Sequence, residues 1–173
     1  MRRIGLLSDT HGYIDDRILK LLSETDEVWH AGDIGQLGVA DAIEEIKPLV
    51  AVYGNIDGNR ARLRFPLNQR FNCEGMDVWI THIGGYPGRY SPAIRSELYA
   101  HPPMLFVCGH SHILKVMYDK KLQLMHMNPG AAGNVGFHLK RTMLRFTIEK
   151  GELKDLEAIE LGDRSTKSVH GTD

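Results

Sequence analysis

The sequence predicts an α/β fold, in which short buried strands alternate with helices. Its first two thirds contain five short apolar runs with segments of helical spacing between them, and the runs end in the motifs SDTH, AGD, GN, TH and GHSH. Because ligands of open α/β sheets bind beyond the carboxyl ends of the strands, these polar ends predict one shared site. The predicted strands are Arg3 to Leu7, Glu27 to His30, Leu49 to Tyr53, Val78 to Thr81 and Leu105 to Cys108.

Three helices are predicted between these strands. Ile18, Leu21 and Leu22 have helical spacing, and Ser91 with Pro92 forms a favourable helix start because Pro is tolerated in the first turn. The remaining helix is predicted by the spacing of Val39, Ala42, Ile43 and Ile46, and it ends before Pro48.

The C-terminal third is predicted to be rich in strands. Strand-like stretches occupy residues 113 to 118, 122 to 127 and 142 to 148, and turns are predicted at 119 to 121 and 150 to 151. We expect these strands to form a second, mostly antiparallel sheet that packs on the first.

Length and composition indicate one domain without a broad charged surface. With 173 residues, 42% of them hydrophobic, the chain can bury one core, which we assign to residues 1–162; the polar segment 163–173 is expected to be disordered. A net charge of -1 does not attract long nucleic acid or an anionic membrane. Cys73 and Cys108 have no metal-motif spacing, and the N-terminal apolar stretch is too short for a signal peptide, so a cytoplasmic location is expected.

The polar strand ends predict a site for two metal ions. Asp9 and His11 lie two residues apart after the first strand, where an extended backbone would direct both to one side. Gly residues precede several of the polar residues and permit close backbone approach. Seven oxygen and nitrogen ligands are too many for one zinc ion, but they suit two ions that share Asp33. The seven are Asp9, His11, Asp33, Asn55, His82, His110 and His112.

Such a site favours phosphate ester hydrolysis. Two divalent ions carry four positive charges, and the carboxylates of Asp9 and Asp33 carry two negative charges. The pocket therefore keeps a surplus of two positive charges, which attracts an anion. Ions about 3.5–4 Å apart lower the pKa of a bound water, and the resulting metal-bound hydroxide attacks phosphorus in line with the leaving oxygen. Asn55 can bind a metal through its amide oxygen and leave its amide N–H₂ free to donate to phosphate.

The ordered motifs D-x-H, GD, GN, H and GHSH resemble those of the calcineurin-like metallophosphoesterase superfamily, and in particular its small YfcE-like phosphodiesterase branch. The resemblance runs from about Asp9 to Gly136 and includes NPG at residues 128–130. It implies a four-layer αββα sandwich of two mixed sheets flanked by helices, and two divalent ions, most often manganese, with nickel, zinc, iron and magnesium as alternatives. It also implies that Asp9, His11, Asp33 and His112 hold one ion and that Asp33, Asn55, His82 and His110 hold the other.

One position departs from the superfamily pattern. Many members read GNH followed by an acid, and they use that His near the leaving group, whereas this chain reads Gly54-Asn55-Ile56-Asp57. Because Ile56 cannot transfer a proton, Asp57 or a water would have to substitute, or the enzyme would act on esters whose leaving group departs easily. We therefore predict catalytic roles for Asn55, His82 and Asp57, and a preference for phosphodiesters.

Other polar residues are interpreted more simply. His30 either orients Asp33 or packs structurally, and Arg89 is a candidate for gripping substrate phosphate, whereas Tyr86 and Tyr90 either stack on a substrate ring or stiffen their loop. If residues 60–64 are extended, Arg60, Arg62 and Arg64 lie on one side of the segment. Of the two interpretations of these arginines, a solvated charged face is favoured over binding of substrate phosphate. His101, His126, His138 and His170 are interpreted as non-ligands, with His138 the least secure exclusion.

The alternatives remain open to test. A phosphomonoesterase is the nearest enzymatic one, and a non-catalytic metal-binding scaffold similar to Vps29 is the main alternative from another class. The expected partner is a small phosphoester; long nucleic acid is disfavoured by the lack of a basic stripe, and homo-oligomerisation is left open. The GxSxG and GxxxxGK[ST] motifs of serine hydrolases and P-loop proteins do not occur.

Overall fold

The computed structural model describes residues 1–164, which fold into two five-stranded sheets, a two-stranded ribbon and four helices. The helices are α1 (Asp16–Ser23), α2 (Gly38–Glu44), α3 (Asn59–Arg64) and α4 (Pro92–Ala100). The strands are β1 (Arg2–Leu7), β2 (Glu27–His30), β3 (Leu49–Ala51), β4 (Asn68–Cys73), β5 (Met76–Thr81), β6 (Gly85–Tyr86), β7 (Arg89–Tyr90), β8 (Leu105–Val107), β9 (Leu114–Asp119), β10 (Leu124–Pro129), β11 (Lys140–Glu149) and β12 (Glu152–Asp163).

Both large sheets are mixed. The first has the strand order β12-β11-β1-β2-β3, in which β1, β2 and β3 are parallel and β11 and β12 are antiparallel to their neighbours. The second has the order β4-β5-β8-β10-β9, with a parallel centre of β5, β8 and β10. The ribbon consists of β6 and β7. The parallel strands of both sheets therefore end on the side of the molecule where the polar motifs lie.

Three apolar clusters hold the layers together. Trp29, Phe146 and Val78 belong to the cluster between the two sheets. A second cluster packs α1 and α2 on the outer face of the first sheet, and a third packs α4 on the outer face of the second sheet. Burial of these side chains is the main term that stabilises the arrangement. The four-layer αββα sandwich of two mixed sheets is confirmed.

The prediction that the C-terminal strands form a second, mostly antiparallel sheet was wrong, and residues 60–64 are helical instead of extended. β11 and β12 join the first sheet through β1, whereas β9 and β10 join the second sheet, so the C-terminal strands are divided between the two sheets. Residues 60–64 lie in α3, where residues two apart diverge by about 200° around the axis. Arg62 donates to the carbonyl of Asp57 at 2.7 Å, and Arg64 donates to Asp41 at 2.6 Å, so the two point to different partners.

The described residues include Asp163 as the last residue of β12, one residue beyond the predicted boundary at 162. Residues 165–173, and with them His170 and most of the segment expected to be disordered, lie outside the described residues. Within the described part of the chain, the helices are too short or too polar to cross a lipid bilayer.

Candidate metal centre

The seven predicted ligands converge at the carboxyl ends of five parallel strands. Asp9 and His11 follow β1, Asp33 follows β2, and Asn55 follows β3 in the first sheet. From the second sheet, His82 directly follows β5, and His110 and His112 follow β8. The two sheets pack face to face, so the site lies at the edge where both contribute loops.

The residues Asp9, His11 and His112 form the first group. His112 Nε2 lies 3.1 Å from Asp9 Oδ1, and His11 Nε2 lies 3.3 Å from His112 Nε2. Each residue offers one ligand atom, and these atoms lie within 4.8 Å of one another. A carboxylate with two imidazoles is a donor set that suits a divalent transition metal.

The residues Asp33, His82 and His110 form the second group, with the same 4.8 Å limit on the spread of their ligand atoms. His82 Nε2 lies 3.2 Å from Asp33 Oδ1 and 3.1 Å from Asn55 Oδ1. The amide oxygen of Asn55 therefore belongs to the same cluster of donor atoms.

Asp33 lies between the two groups. Its Oδ1 faces His82, and its Oδ2 lies 3.8 Å from His11 Nε2 in the first group. This arrangement is the one expected of a carboxylate shared by two ions. Burial raises the pKa of Asp33, but the hydrogen bond and charge of His82 outweigh burial, so the pKa is lowered overall.

The donor atoms of the first group fit a metal ion, because a buried carboxylate oxygen has no hydrogen-bond partner and two imidazole nitrogens point towards it. Asp9 is fully buried; its Oδ2 accepts from the Ser8 hydroxyl at 2.6 Å and from the amide of His110 at 3.1 Å. Its Oδ1 has no hydrogen-bond partner within residues 1–164. A buried carboxylate oxygen without a partner is costly unless a cation or donor satisfies it. Two imidazole nitrogens 3.3 Å apart point to the same place.

Hydrogen bonds on the far side of two imidazoles direct the opposite nitrogen into the site. His82 Nδ1 donates to the carbonyl of Ala31 at 2.8 Å, so Nε2 carries the lone pair that faces Asp33. Burial lowers the pKa of His82, but protonation of Nε2 allows a hydrogen bond to Asp33. This bond and the charges of Asp9 and Asp33 outweigh burial, so the pKa is raised overall.

His138 provides the equivalent support for His112 and was missed by the sequence analysis. His138 Nε2 donates to the carbonyl of Gly133 at 3.0 Å, which leaves Nδ1 as an acceptor 3.2 Å from His112 Nδ1. His112 therefore donates from Nδ1 and presents the lone pair of Nε2 towards Asp9. His138 belongs to neither group of candidate ligands, but it orients His112. The only signal for it in the sequence is its position eight residues after the NPG motif.

The expected role of glycine is confirmed at two positions. A Cβ atom at Gly54 would overlap Asp33 Oδ1, and one at Gly109 would overlap the Ser8 hydroxyl. The expected extended geometry of Asp9 and His11 was wrong: both have left-handed backbone conformations, with φ of 54° and 48°. A turn, not the alternation of a strand, directs both side chains into the site.

The structure assigns Asp57 to the loops and not to proton transfer. Its carboxylate accepts from the amides of Gly35 and Gly54, each at 2.7 Å, and from the amide of Ile34 at 3.1 Å. The residue is only 2% exposed. Because both oxygens are occupied by backbone donors, the prediction that Asp57 replaces the missing acid is corrected. Ile56, in contrast, is 48% exposed.

His30 holds the loop that contains Gly32 and Asp33 through hydrogen bonds of its ring nitrogens. Its Nδ1 accepts from the amide of Gly32 at 3.1 Å, and its Nε2 contacts the Thr10 hydroxyl at 2.9 Å. Burial is the largest influence on His30 and lowers its pKa to about 4, so the ring is neutral. Of the two interpretations of His30, these contacts favour structural packing, because its ring nitrogens bond to the loop and not to the Asp33 carboxylate.

The remaining candidates separate into wall and surface residues. Tyr90 is buried and donates to Asp119 at 2.7 Å, whereas Tyr86 and Arg89 are exposed on the β6–β7 ribbon beside the site. His126 bonds to the carbonyl of Gly85 at 2.9 Å. His101 and His126 belong to neither ligand group.

Two carboxylate-containing groups of candidate metal ligands at the edge of an αββα sandwich are typical of metallophosphoesterases. A family model, described as the calcineurin-like phosphoesterase superfamily domain, matches residues 1–151. The chain belongs to this superfamily of phosphoester hydrolases, and the resemblance inferred from the motifs is confirmed.

Individual relatives are distant in sequence but similar in length and fold. A phosphodiesterase of Methanocaldococcus jannaschii is 26% identical over 144 residues, which cover 74% of this chain and 82% of that protein. A solved archaeal phosphodiesterase has a TM-score of 0.73 at 21% identity and covers 92% of this chain and 99% of its own. Wild-type Vps29 of Entamoeba histolytica, solved with Zn²⁺, has a TM-score of 0.70 at 14% identity, and the match covers 94% of this chain and 99% of Vps29. The two solved structures show the fold alone.

Proposed function

We propose that the chain hydrolyses small phosphodiesters at a dinuclear metal centre held by the seven ligands. The convergence of two ligand groups on the two oxygens of Asp33 is the observation that carries this proposal. Two divalent ions, when bound, would lower the pKa of water and neutralise charge on the phosphoryl oxygens. Manganese is the proposed metal, with nickel, zinc, iron and magnesium as alternatives.

The protein residues position the phosphate. Asn55 is exposed, and its Oδ1 faces His82, which directs the amide Nδ2 away from that contact. This Nδ2 has no hydrogen-bond partner within the described chain, so it is free to donate to a phosphoryl oxygen. His82 is held by Ala31 and cannot rotate without losing that hydrogen bond.

Two of the cavities beside the centre favour a diester over a monoester. A cavity of ≈ 420 Å³ is lined by Asn55 and His82, and one of ≈ 350 Å³ is lined by His110. Ile83 and Ser91 line both and therefore form the ridge between them. A phosphodiester has two organic substituents on one phosphorus, and each cavity can take one of them, whereas a monoester would use only one.

The position of Ile56 supports substrates with a good leaving group. It occupies the place of the family's acidic His, and the neighbouring carboxylate of Asp57 is held by backbone amides. Replacement Ile56→His tests this: we expect faster hydrolysis of alkyl esters, which need protonation, relative to nitrophenyl esters. An unchanged ratio of the two rates would contradict this explanation.

The main experiment compares metals and substrates. Protein stripped with a chelator is refilled with Mn²⁺, Ni²⁺, Zn²⁺ or Mg²⁺ and is assayed with bis(p-nitrophenyl) phosphate and p-nitrophenyl phosphate. We expect activity on the diester that disappears on stripping and returns with Mn²⁺, at two ions per chain. Activity that survives complete stripping would refute the mechanism. Preference for the monoester would favour the phosphomonoesterase alternative, and metal binding without hydrolysis would favour a Vps29-like scaffold.

The proposed setting is the cytoplasm, with a small phosphoester as the partner. Cys73 and Cys108 are buried free thiols, which supports a reducing compartment. The ligands lie in a recess bordered by the β6–β7 ribbon and α4, and this shape favours small esters over a long nucleic acid chain.

A further inference from the structure

The cavity beside His110 has a lining that the hydrolysis of a simple diester does not require. Its walls include the β6–β7 ribbon and the loop that carries Ser111, and β9 contributes Lys115. The lining contains two permanent cations, Arg89 and Lys115, and no acidic residue. The chain as a whole has a net charge of -1, so this concentration of positive charge is local.

The two cations have no carboxylate partner. Most arginines near the sheet surfaces are paired, as Arg70 is with Asp77 at 2.7 Å and Arg145 is with Glu24 at 2.7 Å. Within residues 1–164, neither Arg89 nor Lys115 takes part in an ion pair of 4.0 Å or less. Their positive charge therefore remains available to a ligand.

Tyr86 positions both cations. It pairs with Arg89 across the β6–β7 ribbon, and Lys115 Nζ lies 4.0 Å from the centroid of its ring. A cation over an aromatic face is stabilised by the ring electrons. Arg89 and Lys115 are therefore placed around one tyrosine instead of extending separately into solvent.

The ribbon that carries these residues is anchored by buried contacts. Tyr90 packs against Phe106 with ring centroids 5.9 Å apart and donates to Asp119 at 2.7 Å. His126 binds the carbonyl of Gly85 at 2.9 Å. Since the ribbon is fixed at both strands, little conformational entropy has to be lost when a ligand binds.

Ser111 adds a neutral donor to the same cavity. Its hydroxyl oxygen accepts from Asn128 Nδ2 at 3.1 Å and from the amide of Ile113 at 3.3 Å. Both bonds use lone pairs of the oxygen, so the hydroxyl hydrogen is free to donate into the cavity. The cavity thus combines two cations with one O–H donor, which is a donor set for an anion.

We infer that this cavity, called here the anion cavity (Tyr86, Arg89, Ser111 and Lys115), binds a second negative charge on the substrate. The preferred substrate is then a phosphodiester in which one ester substituent itself carries a phosphate or carboxylate group. This inference rests on the proposed phosphodiesterase function and narrows its substrate class.

A matched pair of substrates tests the inference. Two p-nitrophenyl aryl phosphodiesters are compared that differ only in a carboxylate or a carboxamide on the second ring, because these groups are similar in size and differ in charge. We expect the ratio of kcat/KM, carboxylate to carboxamide, to be about ten for the wild-type enzyme, and to fall towards one in Arg89→Gln and Lys115→Gln. Lys20→Gln is the control, since Lys20 is exposed on α1 and lies outside the cavity; it should keep the wild-type ratio.

A structural effect alone gives a different result. If the replacements only disturb the cavity wall, both rates fall together and the ratio stays at the wild-type value, which would overturn the inference. A wild-type ratio of one would also overturn it.

Binding of the two esters to the metal-free protein, measured by calorimetry, separates this inference from the proposed function. If neither ester is hydrolysed with any metal, the proposed function fails. In that case, tighter binding of the carboxylate ester, lost in the double variant Arg89→Gln/Lys115→Gln, would still support the anion cavity, and equal affinities would refute it.

Discussion

Replacement of Asp57 by Ala should destabilise the fold strongly, although Asp57 lies within the GN motif of the candidate site. Its carboxylate joins the loop after β2 to the loop after β3, because it accepts from Ile34 and Gly35 in one and from Gly54 in the other. Removal of the carboxylate leaves these backbone donors without an acceptor. Two of the three hydrogen bonds are fully buried, so solvent does not replace the acceptor easily.

The expected magnitude follows from the number of donors. A buried donor without a partner costs about 1–3 kcal/mol, so two buried donors and one that is partly exposed give a loss of about 4 kcal/mol. For a chain of this size, that loss corresponds to a fall in Tm of about 10 °C. It is also a large fraction of a typical unfolding free energy of about 5–15 kcal/mol.

The measurement is urea denaturation of the metal-free protein, followed by circular dichroism. Asp57→Asn keeps the shape of the side chain and one acceptor oxygen, so it should lower the unfolding free energy by less than Asp57→Ala does. Glu97→Ala removes an exposed carboxylate on α4 and should change the unfolding free energy by less than about 0.5 kcal/mol. If the unfolding free energy of Asp57→Ala is within about 1 kcal/mol of the wild-type value, the structural role of this carboxylate is refuted.

Three further predictions concern the ligands, their support and the thiols. His82→Ala and Asn55→Ala should each lower kcat by about 100-fold or more with an unchanged circular dichroism spectrum, and near-normal rates would remove either residue from the site. His138→Ala should weaken Mn²⁺ binding by about tenfold in a calorimetric titration, because His112 loses its orienting acceptor; an unchanged affinity would contradict that role. Burial raises the pKa of Cys73 to about 11 and that of Cys108 to about 12, so both should resist iodoacetamide at pH 8 until urea is added, as measured by mass spectrometry.

The part of the site that could be predicted from sequence lies where local chemistry is distinctive. A short apolar run followed by Gly and a metal-binding residue indicates a strand end with a tight turn, and this combination identified Asp33, Asn55 and His110. The ligand positions needed no knowledge of which strands pair, because parallel strands end at the same edge. The same pattern predicted that β1, β2, β3, β5 and β8 exist and roughly where each lies in the sequence.

The parts that were missed depend on contacts between distant segments. β11 has buried residues on both faces, with Met143 packed under the helices and Leu144 packed between the sheets. This burial identifies an interior strand but not its partner, and the structure pairs it with β1. Asp57 accepts from backbone amides of two loops, and His138 contacts a second imidazole, so their structural roles depend on partners in other loops that the sequence around each residue does not reveal.

The backbone of the candidate site is held in a strained form by the protein itself. Five of the seven proposed ligands have a left-handed conformation, with φ between 48° and 67°: Asp9, His11, Asp33, His110 and His112. Each costs about 1 kcal/mol or more, so the site stores about 5 kcal/mol of strain. Hydrogen bonds between the loops oppose it, since the amides of Asp9 and His11 donate to the carbonyls of Gly32 and Asp33, each at 3.0 Å. The proposed ligands are therefore positioned by loop-to-loop hydrogen bonds, and metal affinity should depend on those bonds as well as on the ligand side chains.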